Sequence, residues 1–274
     1  MKLGILGHHI AYTISPVLHE LICKEANLSP VEYSRFDIPP QELYTTLKKL
    51  QTEGYTGVNV TTPYKKSVFP YVTSLSDEVK KCGSANTLCF TKEEIQASNT
   101  DLSGLIRVLT NFPLASYQQF VLFGYGGVAP AVVYALKALG VQKIAVTGRS
   151  LEKIQEFCQQ FNVSRYHPQK DSLVSPTLWI NATPVGSVTY PEIPHAFKIN
   201  PTKSDSFLDL NYAPLPTYFQ RYFQTYGIET HDGLGLLIEQ AIDSQRIWRK
   251  DANFGKGINR MKIHNKLIEK LEER

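Results

Sequence analysis

The segment Leu122-Phe123-Gly124-Tyr125-Gly126-Gly127-Val128-Ala129 fits the pattern Gly-x-Gly-x-x-Ala between an apolar run and an Ala/Val/Leu-rich run. Such a turn is built to hold phosphates. Gly124 permits the tight bend, and Gly126, with Gly127 beside it, lets a pyrophosphate approach the backbone. Ala129 lets a helix pack closely on a strand. The helix that follows offers unpaired N–H groups to an anion. Arg149 stands 20 residues after Ala129, at the end of the next strand-like run, followed by Ser150 and, one helical turn on, Lys153. An acid at this place would accept from ribose hydroxyls. A cation with a hydroxyl suits the 2′-phosphate of NADP instead. An arginine at a helix start opposes the helix dipole, which a bound anion offsets. A lone glycine turn or surface arginine is common in any α/β protein, so the weight rests on the flanking strand and helix.

These residues need elements to position them. Strand patterns fall at 2–6, 31–38, 57–61, 85–90, 94–98, 120–123, 143–147, 177–182 and 207–210. Helical apolar spacing falls at 16–28, 41–50, 102–109, 131–139, 151–161 and 236–248. Ser15 reads as the N-cap of the first helix, with Pro16 at its first position. Runs 85–90 and 94–98 read as a hairpin. Strand–helix–strand alternation argues parallel sheets covered by helices. The expected fold is α/β: an N-terminal α/β substrate domain plus a Rossmann-type doubly wound dinucleotide-binding domain. The boundaries fall at 1–102 and 103–235, with the helices of 236–274 returning to the first domain.

Composition narrows the class. The chain has 274 residues, 42% of them hydrophobic and 20% charged, which suits a folded chain of one or two domains rather than a disordered one. No run of 18 apolar residues occurs and the first residues do not resemble a secretory leader, so a cytoplasmic location is expected. The net charge of +4 comes largely from Arg246, Arg249, Lys250, Lys256, Arg260, Lys262, Lys266, Lys270 and Arg274, which read as a solvated helix face. Neither a dense basic patch nor a nucleic-acid module is present. Four cysteines (Cys23, Cys82, Cys89, Cys158) form no Cys-x-x-Cys pair, and no metal site is expected. The expected partner is a small molecule, with no nucleic acid and no membrane. A monomer and a homodimer both stay open.

Eight segments resemble the shikimate dehydrogenase family in type and order. They are 7–19 (GHHIAYTISPVLH), 57–66 (GVNVTTPYKK), 83–88 (GSANTL), 99–104 (NTDLSG), 124–129 (GYGGVA), 181–186 (NATPVG), 209–217 (DLNYAPLPT) and 232–241 (DGLGLLIEQA). The resemblance implies reversible hydride transfer between NADP and the alcohol or ketone of shikimate and 3-dehydroshikimate, within aromatic amino-acid (chorismate) biosynthesis. It implies Lys65 as the catalytic lysine and Asp101 as its partner. Hydride delivery to a ketone leaves negative charge on oxygen, which an ammonium stabilises and protonates. By the same resemblance, Thr13 and Ser15 hold the substrate carboxylate, while Asn59, Thr61, Asn86 and Gln240 contact its hydroxyls, with Tyr212 nearby. Asn181 and Thr183 lie beside the cofactor, and Gly233 lies near the nicotinamide.

Some positions depart from the family. Tyr12 replaces a more usual histidine and Thr13 a serine, which motivates a quinate/shikimate dehydrogenase or another altered substrate as the alternative. Leu236 stands where methionine is common, and Gly148 where asparagine usually precedes the arginine. A regulatory protein that binds NADP without catalysis is the further alternative.

Overall fold

The computed structural model describes residues 1–168, 174–194, 197, 199 and 201–273; Arg274 of the basic tail lies outside them. The chain divides into two compact units, Met1–Gly104 with Ile238–Leu267, and Leu105–Leu237 with Ile268–Arg274.

In the first unit the chain runs β1 (Lys2–Gly7), α1 (Ser15–Glu25), β2 (Glu32–Asp37), α2 (Leu43–Thr52), β3 (Gly57–Val60), β4 (Ser74–Leu75), α3 (Asp77–Cys82), β5 (Thr87–Phe90) and β6 (Ile95–Ser98), then enters α4 (Thr100–Thr110). The sheet order is β2-β1-β3-β5-β6-β4. β1 pairs in parallel with β2 and β3, whereas β3–β5 and β5–β6 are antiparallel. The hairpin expected at 85–98 is therefore present. Leu6, Val58, Val60 and Leu88 pack with Leu43, Leu47 and Leu50 of α2 in one buried cluster. α1 begins one residue earlier than the Ser15 cap reading implied. Ile14 holds the N-cap position and makes no side-chain bond, so Ser15 is already helical and its hydroxyl is not a cap.

The second unit runs β7 (Gln119–Phe123), α5 (Ala129–Ala138), β8 (Ile144–Thr147), α6 (Leu151–Phe161), β9 (Ser164–Arg165), β10 (Thr177–Asn181), β11 (Ser206–Asp209), α7 (Tyr218–Gln224) and β12 (Glu229–His231). Its sheet is parallel throughout, in the order β12-β11-β10-β7-β8-β9. Counted within the unit, this is the doubly wound order of dinucleotide-binding folds, and the order reverses between β7 and β10. Its aromatic core is Phe123, Trp179, Phe197, Phe207, Phe219 and Phe223.

α8 (Leu234–Arg249) and α9 (Arg260–Glu272) close the chain. The basic residues here are not merely a solvated face. Arg246 pairs with Asp243 and donates to the Phe254 carbonyl; Arg260 pairs with Glu239 and donates to the Gly255 and Ile258 carbonyls. These arginines clamp the turn between the two helices. Lys262 pairs with Glu25 at 2.8 Å. Among the described residues, no helix is long and apolar enough to cross a membrane.

Trp248 of α8 seals the first sheet. It is 3% exposed, and its indole N–H donates to the Leu88 carbonyl at 2.8 Å. The indole lies against Gly57, where an added Cβ would stand 2.1 Å from Nε1 and 2.3 Å from the Leu88 oxygen. Gly57→Ala must therefore displace the ring or the strand. A loss of about 1–3 kcal/mol is expected, as for other overpacked cores, read as a lower urea midpoint of unfolding.

Candidate active site

The first unit gathers one charged pair inside a buried polar lattice. Lys65 follows β3 on a tight turn anchored by Tyr64, whose ring is 1% exposed and whose hydroxyl donates to the Ile38 carbonyl at 2.6 Å. The Lys65 carbonyl accepts from Ala85 N–H at 2.7 Å. Asp101 lies in the first turn of α4. Asn99 caps that helix, its Oδ1 accepting from the N–H groups of Asp101 and Leu102 at 3.0 and 3.3 Å. Lys65 Nζ donates to Asp101 Oδ2 at 2.6 Å, and Asn86 Nδ2 donates to Asp101 Oδ1 at 2.8 Å. Both carboxylate oxygens are thus engaged, and the helix dipole favours the negative charge. An ammonium has three donors, and only one of Lys65's is used among the described residues. Its side chain is 21% exposed against 8% for Asp101, so the lysine faces outward and the aspartate inward.

Hydroxyl groups lie on the loops that leave the strand ends beside Lys65. β1 and β3 end side by side, so the loops at 8–14 and 61–65 leave the same edge, tied by His8 N–H to the Thr62 carbonyl at 3.1 Å. The loop at 8–14 is strapped by Asp37, which accepts from His9 N–H at 2.8 Å and Ile10 N–H at 3.0 Å. Thr13 Oγ1 donates to Ser15 Oγ at 3.1 Å and accepts from Ser15 N–H at 3.3 Å. The Ser15 proton is left over, at the N-terminus of a helix with no acid in its first turn and no side-chain cap. That combination suits a carboxylate. The Thr61 hydroxyl has no partner among the described residues, and Asn86 Nδ2 reaches Gln240 Oε1 at 3.5 Å.

In the second unit, two loops flank the point where the strand order reverses. Gly124 (φ +101°) begins the first, and a Cβ there would meet the Thr183 methyl of the second at 2.5 Å. Gly126 differs: a Cβ there would meet nothing within 4 Å. The protein's own packing does not require this glycine, so the space above it is a cradle open to a phosphate. α5 begins there with Ala129 fully buried, without a side-chain cap or an acid in its first turn. Arg149 and Lys153 are exposed, and neither pairs with a carboxylate among the described residues, although Glu152 lies between them. Ser150 caps α6, accepting from Lys153 N–H. These groups fit a dinucleotide with a 2′-phosphate. Tyr212 is half-buried after β11. Gly233 is buried against the Leu210 carbonyl, where a Cβ would stand 2.3 Å away.

The family model for the shikimate dehydrogenase substrate binding domain matches residues 5–88. A shikimate dehydrogenase (NADP(+)) of Synechocystis sp. is 32% identical over 261 residues, 90% of this chain and 89% of that protein. The chain belongs to the shikimate dehydrogenase family. Among solved structures, the shikimate 5-dehydrogenase of Thermus thermophilus, in complex with NADP(H) and shikimate, is 25% identical with a TM-score of 0.82, covering 97% of this chain and 99% of that one. A quinate dehydrogenase of Corynebacterium glutamicum in complex with NAD is 27% identical with a TM-score of 0.82, covering 98% and 99%. The expected plan of an α/β substrate domain plus a Rossmann-type domain is that of this family.

Two expected contacts of the family pattern turn inward. Asn59 is 6% exposed. Its Oδ1 accepts from the Tyr33 hydroxyl at 2.8 Å and faces His19 Nε2 at 3.2 Å, while Nδ2 donates to Ser244 Oγ (2.9 Å), Thr87 Oγ1 (3.2 Å) and the Asn86 carbonyl (3.2 Å). Asn181 is fully buried; its Nδ2 serves the Val185 carbonyl and Asp209 Oδ1, and its Oδ1 accepts from Thr183 N–H and Oγ1. Asn86, 3% exposed, is engaged in the same way: its Nδ2 donates to Asp101 Oδ1 and Thr100 Oγ1, and its Oδ1 accepts from Thr100 N–H and Thr87 Oγ1, so all three amides shape the loops of their clusters. Asp209 is the unassigned member of the second cluster. It accepts from Asn181, Asn211 and Thr217, and burial raises its carboxyl to about 6 against those bonds.

The sequence reading also passed over His19, Thr87, Thr100 and Ser244, which bind the lattice together. The available signal was a polar residue on an apolar helix stripe: His19 sits between Leu18 and Ile22, all fully buried. The Gln245 side-chain nitrogen lies 2.9 Å from His19 Nδ1. An imidazole that donates from Nε2 and accepts at Nδ1 suits both neighbours, and a second proton would point at an N–H. Burial lowers its pKa from 6.5 to about 3. The unfolded chain binds this proton below about 6.5 and the native chain does not until about 3. Stability is therefore lost as pH falls through that window. His19→Gln keeps a donor and an acceptor but cannot ionise. Wild type should lose about 2 kcal/mol more than this variant between pH 6.5 and 5, measured by urea unfolding at each pH.

Proposed function

We propose that this chain reduces 3-dehydroshikimate to shikimate reversibly, as an NADP-dependent oxidoreductase of the shikimate dehydrogenase family, in the pathway to chorismate and the aromatic amino acids. The observation that carries the residue assignment is the Lys65–Asp101 pair, in which both carboxylate oxygens are engaged while the lysine keeps donors to spare. NADPH supplies the hydride, and the chain's residues do the rest. Ser15, held by Thr13 at the start of α1, takes the substrate carboxylate. Thr61, Asn86 and Gln240 contact the ring hydroxyls. Lys65 stabilises the developing oxyanion and gives it a proton; in the reverse direction its amine takes the hydroxyl proton. Asp101 orients Lys65. In the second unit Gly124, Gly126, Gly127 and Ala129 receive the pyrophosphate at the start of α5, with Thr183 beside the turn. Arg149, Ser150 and Lys153 receive the 2′-phosphate. A regulator that only bound the nucleotide would have no use for the charged pair. We also place the enzyme in the cytoplasm, where Cys23, Cys82, Cys89 and Cys158, all free, stay reduced.

Quinate is the second reading. Thr13 adds a methyl beside the carboxylate site, and a quinate dehydrogenase is about as similar in sequence as a shikimate enzyme of known structure. Turnover of shikimate and quinate, each with NADP and NAD, separates the two; shikimate with NADP should be fastest. Lys65→Ala should lower kcat by about 10²–10⁴, the usual worth of a positioned acid–base group, with the Kd for NADPH changed less than about twofold. Near-native turnover in that variant would remove Lys65 from its role.

A further inference from the structure

Residue 148 directly follows β8, the strand at whose end a dinucleotide fold reads the adenosine ribose. It is glycine here, yet its backbone does not require one, because its φ lies outside the left-handed region. The restriction comes from a side chain. A Cβ at Gly148 would stand 2.7 Å from Cε1 and 3.1 Å from Cδ1 of Tyr125, with Ile154 Cδ1 next at 3.8 Å. The tyrosine belongs to the other loop, the Gly124–Gly126 turn. Its ring therefore crosses from the phosphate turn to the ribose-reading position and rests on the bare Cα. Cε1 is the nearer atom and is bonded to the carbon that bears the hydroxyl, so the phenol end of the ring lies over Gly148, the residue before Arg149 in the chain. The ring is half-buried, and its hydroxyl has no partner among the described residues. A tyrosine ordered by packing usually brings its hydroxyl to a polar group.

We propose that Tyr125 is a specificity-determining residue of the nucleotide site. Its hydroxyl donates to the 2′-phosphate of NADPH beside Arg149, supplying from the phosphate turn the polar contact that Gly148 lacks. The inference rests on the reading that this turn binds NADPH. It makes residues 125 and 148 one unit: the large residue demands the small one, and the small one gives the hydroxyl its room. A phenol is a good neighbour for such a phosphate, since it adds a donor without a second full charge to solvate.

The test is titration of NADPH and NADH, followed by protein fluorescence, on wild type, Tyr125→Phe, Tyr125→Ala, Gly148→Ala and the double variant Tyr125→Ala/Gly148→Ala. Tyr125→Phe keeps the ring and removes only the hydroxyl. It should weaken NADPH about tenfold, the scale of one hydrogen bond to a charged group, and leave NADH within about twofold. Gly148→Ala should weaken NADPH by at least about fivefold in wild type and by less than about twofold in the Tyr125→Ala background, because the coupling is through the ring. The proposal is overturned if Tyr125→Phe binds NADPH as wild type does, if it weakens both nucleotides equally, or if Gly148→Ala costs the same in both backgrounds. Failure of the underlying reading has its own signature: wild type would not prefer NADPH to NADH, and Arg149→Ala would leave NADPH binding unchanged.

Discussion

The first unit is organised around the ion pair of Lys65 and Asp101, 2.6 Å apart. A carboxylate as deep as Asp101 is tolerated as a charge only when geometry and further hydrogen bonds offset its lost hydration. Removing one partner from such a pair typically costs about 3–5 kcal/mol. The surrounding lattice makes sense as that compensation. Asn86 donates to Asp101, and Asn86 is itself fixed by Thr100, whose N–H donates to Asn86 Oδ1 at 2.8 Å. That backbone donor cannot reverse, so the Asn86 amide cannot flip and turn its oxygen toward the carboxylate. Ser244 ties α8 to the same cluster through Asn59 and Thr87, both at 2.9 Å. The result is asymmetric: the acid is held from both sides, while the lysine keeps spare donors. Chemistry is available at the nitrogen because the carboxylate is already committed.

The second unit solves a different problem, holding phosphates with few formal charges. Its glycine turn meets the loop after β10 where the strand order reverses, and the two are in contact through Gly124 and the Thr183 methyl. That loop is shaped from beneath by Asp209, a buried carboxylate with no cation among its bonded partners, held by Asn181, Asn211 and Thr217. Its burial cost is visible in the raised pKa. A carboxylate accepting several fixed donors defines a loop more sharply than an apolar contact would, because each oxygen position is specified.

Much of this was legible in the sequence. The glycine turn, the helix after it and the strand before it are written in local pattern, and the structure has them within one or two residues of 120–123 and 131–139. The elements that went unread are short or weakly periodic: β4 and β9 have two residues each, β12 has three, α3 has six and α7 has seven. α9 was expected only as one of the returning helices of 236–274, without bounds of its own. Its charges read as a solvated helix face, and with only Ile263 and Leu267 buried its apolar period is too sparse to set bounds. In the site, residue types were legible but their direction was not. Asn59 and Asn86 look alike in sequence, and both are amides near strand ends. Both spend their bonds inside the protein, but only Asn86 donates to the carboxylate of the charged pair. Nothing in spacing records that difference, because it is decided by His19, Tyr33 and Ser244, which arrive from distant segments. The first helix start failed similarly: Ser15 followed by proline is a good cap pattern, but Thr13 engages its hydroxyl first.

The charge of the chain bears on the same distinction. Arg246 and Arg260 are each matched to a carboxylate and to backbone carbonyls, so their charges are spent on folding. Arg149 is exposed and matched to none among the described residues, at a helix start where the dipole disfavours a cation. For an exposed group that penalty is only about 0.3–1 kcal/mol, small enough to carry in the free protein. An anion bound there would offset it, because the helix N-terminus and the guanidinium would act on the same group. A cation placed against its local field is thus informative in a way that the net charge of +4 is not. The sum counts matched and unmatched cations alike, whereas the field separates a residue whose charge is spent on the fold from one whose charge is not.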